Sequence, residues 1–171
     1  MLCSVVLPVA ALVGCFPPSG PEESTSCTDE GPAFDGKTAL IVGTSEQGDF
    51  VALKDGSALA IDVGAQGLQH VYYSARVHTG GRELVLAAKF TRDDGVVFGR
   101  GAAIIEACSE PWLELEDARL VLDGNDEMKG KLDVKVGVCS PEGCALDDAG
   151  EHVFEELVGE VTRDVLIHMY L

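Results

Sequence analysis

This 171-residue chain has six cysteines, and their spacing limits the possible reactions and metal sites more than that of any other residue type. Closely paired thiols would bind zinc, and a Cys-x-x-Cys motif beside a βαβ unit would exchange disulfides. The sequence has neither pattern, because four residues separate Cys139 from Cys144 and the other cysteines are far apart. In an oxidising compartment the four cysteines that follow Cys15 would form two disulfides, for which three connectivities exist. We favour Cys139 with Cys144, which closes a short loop, and Cys27 with Cys108.

The histidines, which could ligate metals or transfer protons, are scattered along the chain. They are His70, His78, His152 and His168. They include no His-x-x-x-His pair, so zinc hydrolase chemistry has no visible scaffold. We therefore predict no catalytic residues and no cofactor, and we expect a protein that is not an enzyme.

Two acidic clusters resemble the start of a calcium-binding loop. They are Asp123, Asn125 and Asp126 in one place, and Asp147 and Asp148 in another. Neither cluster has the ligand spacing of an EF-hand, so we interpret both as turns. They are weak calcium candidates, and no metal site is predicted.

The string Leu12-Val13-Gly14-Cys15 closes a short apolar run and resembles the lipobox of bacterial lipoproteins. The resemblance implies that residues 1–14 are a signal peptide and that the thiol of Cys15 carries lipid, palmitate included. Residues 1–14 contain no Lys or Arg, although a secretory n-region is usually basic, and this predicts an earlier start codon. Ordinary cleavage after Ala11 is the alternative.

The composition after Cys15 predicts a flexible tether over residues 15–36, followed by a single domain over residues 37–171. Pro, Gly, Ser and Glu without apolar periodicity do not bury enough surface to order a chain. The residue after Cys15 is Phe16, whereas Asp at that place retains lipoproteins of Gram-negative bacteria in the inner membrane. The resemblance therefore implies an outer-membrane anchor, with its face of the membrane left open.

The charge of the chain excludes one class of partner. It has 29 Asp and Glu against 12 Lys and Arg, a formal net charge of −17. Such a chain repels phosphate backbones, so we expect no nucleic-acid partner. The acidity is interpreted as a soluble surface, and 46% hydrophobic residues suffice for one core.

Alternation of apolar and polar residues predicts strands throughout the domain. The predicted strands are 38–44, 50–53, 58–63, 69–78, 83–91, 96–105, 113–122, 132–138 and 161–171. Pairs such as Asp55-Gly56, Gly80-Gly81 and Asp94-Gly95 supply the positive φ of tight hairpins. We predict an all-β fold, an antiparallel two-sheet sandwich, immunoglobulin-like or similar, of about eight or nine strands, in preference to a barrel. In 152–171 apolar residues also occur at helical spacing, but we favour a strand for its second half.

The stretch from Gly48 to Val77 resembles a segment of uncharacterised predicted lipoproteins of Gram-negative bacteria. It carries a phenylalanine, an Asp-Gly turn, an apolar strand and a Gly-x-Gln-Gly-x-x-His-Val string in that order. The resemblance covers under a fifth of the chain, and no activity comes with it. It implies the lipoprotein class and supports the sandwich.

One strand of that segment could carry a binding surface. Val71, Tyr73, Ala75 and Val77 would face the core. The opposite face would then present a strip formed by His70, Tyr72, Arg76 and His78. The alternative is the solvated face of an ordinary antiparallel sheet.

These features favour a lipid-anchored cell-envelope lipoprotein that acts as a non-enzymatic binding or structural module. Its expected partners are the membrane, through the acyl anchor on Cys15, and an unknown envelope protein or ligand. Two alternatives remain: an envelope enzyme whose site assembles only in three dimensions, and a calcium-dependent adhesion or binding domain.

Overall fold

The computed structural model describes residues 24–36, 38–63, 67–124, 127–140 and 143–169. The lipobox with Cys15 lies outside them, as do Asn125 and Asp126. The described residues form strands and turns without a helix, which confirms the all-β class. They accordingly include no helix long and apolar enough to cross a membrane.

Twelve strands occur in the described part of the chain. They are β1 Ser24–Thr28, β2 Leu40–Glu46, β3 Asp49–Ala52, β4 Ser57–Val63, β5 Gln69–His78, β6 Leu84–Arg92, β7 Val97–Ile105, β8 Trp112–Leu122, β9 Met128–Val138, β10 Ala145–Leu146, β11 His152–Val153 and β12 Glu156–Met169. The nine predicted strands correspond to β2–β9 and β12. β9 and β12 begin earlier than predicted.

A local irregularity explains the helical spacing in the first half of β12. The register of β12 against β9 shifts between Leu157 and Gly159. A bulge adds one residue to one strand of a pair, so the period of two is interrupted there. Val158 and Val161, three residues apart, therefore both pack against the core. The segment is one strand from Glu156 to Met169.

Seven strands are hydrogen-bonded into a closed barrel in the order β4, β5, β8, β7, β6, β9, β12 and back to β4. The β12–β4 pair is parallel, from Val165 opposite Ser57 to Met169 opposite Ile61. The predicted two-sheet antiparallel sandwich, immunoglobulin-like or similar, is therefore corrected to a barrel with additional edge strands. Alternation specifies one buried face for each strand but not its neighbours, and thus fits both architectures.

The inward-facing residues of the strands fill the barrel. On β5, Val71, Tyr73, Ala75 and Val77 are all buried, as predicted. They belong to one hydrophobic cluster with residues of the other barrel strands, including Leu86, Phe90, Leu120, Leu132, Val134 and Ile167. Burial of this apolar surface contributes about 25 cal/mol for each Å² removed from water.

The N-terminal boundary of the folded body differs from the prediction. Ser24–Thr28, within the predicted tether, is strand β1 and pairs antiparallel with the start of β8. The predicted Cys27–Cys108 disulfide is present and connects β1 to the β7–β8 connection. The side chains of β1 are mostly exposed, so little apolar burial stabilises this strand. Backbone pairing with β8 and the disulfide hold it instead. Sequence periodicity could not reveal it.

The predicted Cys139–Cys144 disulfide is also present, between the end of β9 and the start of the β10–β11 hairpin. In this hairpin Ala145 lies opposite Val153 and Leu146 opposite His152. We call residues 145–154 the flap, because they cover part of the outer face of β6, β7 and β9.

Candidate functional site

The predicted binding strip on β5 is not one open surface. The Arg76 guanidinium donates from Nε to Oε2 of Glu114 at 2.7 Å and lies 4.5 Å above the ring of Phe50. Its Nη2 lies 3.6 Å from Oε2 of Glu30. β3 and the segment that follows β1 therefore both contact Arg76, whose cation is already matched by carboxylates.

His78, at the end of the strip, contacts two aromatic rings. It stacks on Phe34 with a centroid distance of 3.9 Å and meets the edge of Trp112 at 5.5 Å. Phe34 belongs to the predicted tether, and its ring lies on this face. The lower half of the strip is therefore a contact surface within the molecule.

His70 and Tyr72, in the first half of β5, lie apart from these contacts. His70 is buried, and its Nδ1 has no hydrogen-bond partner among the described residues. Tyr72 lines a separate cavity of about 450 Å³ with Asp62 and Asp117. Burial raises the pKa of Tyr72, Arg119 opposes the shift, and Asp62 and Asp117 add to it. The strip thus divides into two environments.

The histidines of the described residues do not form one cluster, although Asp62 lies opposite His70 in the β4–β5 pair. His70 and His78 lie on one strand, about 26 Å apart at the usual rise per residue. His168 lies on β12, opposite Ala60. Within the described ranges, no three His, Cys, Asp or Glu side chains are close enough to hold a metal ion.

Asp147, a predicted calcium candidate, accepts backbone hydrogen bonds within its own turn. Its Oδ1 accepts from the amides of Ala149 and Glu151, both at 2.9 Å. The bond from Glu151 is the main cause that lowers the pKa of Asp147. The neighbouring Asp148 is exposed. Asp147 and Asp148 therefore lie in a turn. Asp123 directly follows β8, and its amide donates to the carbonyl of Phe98.

A groove lies between the flap and the outer face of β6, β7 and β9. Ala87 of β6 lies opposite Ala102 of β7 and, on its other side, opposite Lys135 of β9. The small side chains of Ala87 and Ala102 form the floor of the groove. Leu146 and Phe154 of the flap line its other side, and the partly open cavity between them and the barrel is about 280 Å³. The groove is therefore concave and mainly apolar, as ligand sites usually are.

Three cations line this groove. Lys89 lies opposite Arg100 in the β6–β7 pair, and Lys135 comes from β9. The Nζ of Lys89 lies 2.5 Å from Oε1 of Glu151, and the Nζ of Lys135 lies 3.7 Å from Oε2. The hydrogen bond from Lys89 is the main cause that lowers the pKa of Glu151. Arg100 donates to the carbonyl of Ala149 at 3.1 Å.

The position of the flap depends on a glycine of β9. A Cβ at Gly137 would lie 2.7 Å from the ring of Phe154, so only glycine leaves room for this aromatic side chain. The flap is therefore held by one aromatic contact and by polar contacts from Lys89, Lys135 and Arg100.

Sequence reasoning missed this groove. Its cations lie on the polar faces of three strands that were predicted, but their convergence depends on strand order and register. The signal in the sequence was unspecific, because six of the 12 basic residues lie on predicted strands and Lys89, Arg100 and Lys135 are only three of these six. Without the pairing it could not be used.

No protein-family model matches the chain, and no curated protein matches it significantly. Among solved structures, the chain is similar to a bacterial adhesin from Mobiluncus mulieris containing intramolecular disulfide, isopeptide and ester bond cross-links. The TM-score is 0.44 at 11% identity, with 78% of this chain and 58% of that chain covered. This chain thus spans less than two thirds of that adhesin chain.

Proposed function

We propose that the protein is a lipid-anchored cell-envelope lipoprotein whose barrel is a non-enzymatic binding module. The groove under the flap is its binding site. The observation that carries this proposal is an apolar cavity of about 280 Å³ lined by Lys89, Arg100 and Lys135 in a chain of net charge −17. Ligand sites combine apolar walls with a few convergent polar groups in this way.

The anchor rests on the lipobox-like string that ends at Cys15. Phe16 favours the outer membrane as the destination. Metabolic labelling with a palmitate analogue tests the anchor: we expect label on the wild-type protein and its loss in Cys15→Ala. An unlabelled wild type, or label that survives Cys15→Ala, would contradict it.

The binding role is tested on the Cys15→Ala protein, which lacks the acylated thiol, by NMR. A panel of small compounds, apolar and amphiphilic and of every charge type, is screened against the ¹⁵N-labelled protein. We expect the amides of Ala87, Ala102 and Leu146 to shift with the compounds that bind, while those of the Tyr72 cavity do not. Shifts that scatter over the surface, or no binding compound at all, would contradict the assignment of the groove.

A further inference from the structure

We infer that the groove takes a small, free organic anion: a compact apolar body with one carboxylate, sulfonate or phosphate group. The anionic group lies at Lys89, Arg100 and Lys135, and the apolar body lies on Ala87 and Ala102. This inference rests on the proposed function and names the ligand class of the same site.

Charge balance in the wall of the groove favours an anion. Lys89 and Arg100 lie directly opposite each other on paired strands, an arrangement that repels. Asp133 lies opposite Lys89 on its other side, but it also accepts a hydrogen bond from Thr162 at 2.6 Å. Lys135 is the third cation on these strands. The strands that form the wall therefore contribute three cations and one carboxylate, that of Asp133.

Glu151 shows where an anionic group fits. Its carboxylate reaches from the flap and places one oxygen on Lys89 and the other toward Lys135, at 2.5 and 3.7 Å. Arg100 meets a neutral acceptor, the Ala149 carbonyl, and forms no ion pair with a described residue. A ligand anion therefore finds Arg100 unmatched and competes with Glu151 for the two lysines.

The apolar part of the ligand has space beside the cations. A second cavity of about 610 Å³ extends the groove past Ala102 and His152 to Val85, Ile104 and the Cys139–Cys144 disulfide. Ile104 is 65% exposed, so a ligand that covers it removes apolar surface from water. The cations of the first cavity and the apolar residues of the second are therefore neighbours within one groove.

Two fluorescent probes that differ by one charge test this inference on the Cys15→Ala protein. They are 8-anilino-1-naphthalenesulfonate and N-phenyl-1-naphthylamine, the same ring system without the sulfonate. Hydrogen bonds to charged groups contribute enough for the anionic probe to bind about tenfold more tightly. We expect Arg100→Gln and Lys135→Gln to reduce its affinity several-fold and to leave the neutral probe unchanged. Lys129→Gln, an exposed change on β9 outside the groove, is the control.

Each outcome separates the two proposals. Equal affinity for both probes overturns the anionic ligand class and leaves the groove as a binding site. Binding of neither probe overturns the proposed function as well. A preference for the anionic probe that survives both groove variants places the anion elsewhere and overturns the inference. Displacement by monomeric octyl phosphate supports a free anion, whereas displacement by phosphatidylglycerol vesicles alone overturns it in favour of a membrane headgroup.

Discussion

Gly31 lies so close to the indole ring of Trp112 that a Cβ at position 31 would stand 2.5 Å from Nε1. Trp112 is only 2% exposed, and its ring also contacts His78. The segment after β1 therefore packs onto the outer face of β8 and β5, although its composition predicts a tether.

Gly31→Ala should detach this segment. The added methyl group overlaps the indole ring, and overpacking of this kind costs about 1–3 kcal/mol. We expect a lower midpoint in urea and a red shift of the emission of Trp112, the only tryptophan of the chain. Ala33→Ser, at an exposed neighbour, should change neither. Emission identical to that of the wild type in Gly31→Ala would mean that the contact is not maintained in solution.

Arg76→Met should destabilise the protein more than its exposure suggests. Its partner Glu114 is a buried side chain, and breaking a buried pair leaves one charge without compensation, at a cost of about 3–5 kcal/mol. The double variant Arg76→Met with Glu114→Gln should recover part of this loss, since no buried charge remains unpaired. Denaturant unfolding of both single variants and the double variant gives the coupling. Additive losses would contradict it.

The alternation of apolar and polar residues predicted the strands and their core-facing residues. It did not predict which strands pair or in what register. Alternation along β5 identified Val71 and Tyr73 as core, because a strand with one buried face must alternate. The parallel β12–β4 pair joins segments far apart in the chain, and alternation does not specify it. Lys89 and Arg100 lie on predicted strands, but only their register places them together. The packing of the segment around Gly31 and Phe34 onto the predicted strip was missed, because the sequence of that segment has no apolar periodicity.

The two disulfides should differ in their contribution to stability. Loop-closure entropy predicts about 4.5 kcal/mol for Cys27–Cys108, with a separation of 81, and about 2 kcal/mol for Cys139–Cys144, with a separation of 5. We therefore expect replacement of the first pair by alanine to lower the free energy of unfolding more.

Urea unfolding without reductant measures both disulfide variants. Hydrogen exchange should also show faster exchange over Ser24–Thr28 in the Cys27→Ala, Cys108→Ala protein, because β1 is an exposed edge strand. Equal losses for the two pairs would contradict the entropic account.

Glu151→Gln should change how stability depends on pH. The hydrogen bond from Lys89, with the charges of Lys89 and Lys135, lowers the pKa of Glu151 below its usual 4.5. A carboxyl whose pKa is lower in the folded state contributes stability that is complete above the unfolded pKa and is lost as pH falls through the folded pKa. The Gln variant should therefore be less stable than the wild type at pH 7, by up to about 1 kcal/mol for a partly exposed pair.

The stability difference between wild type and Glu151→Gln should shrink as pH falls through about 4.5, where the carboxyl of the unfolded chain protonates, and disappear below the lower pKa of the folded state. Thermal unfolding from pH 7 to pH 3 measures it, with Glu155→Gln as a nearby exposed control. At neutral pH, hydrogen exchange over the flap should also quicken in the Gln variant, because the charge that holds the flap to Lys89 is lost. A pH-independent difference would mean that Glu151 acts through packing, and the flap would then not be held by charge.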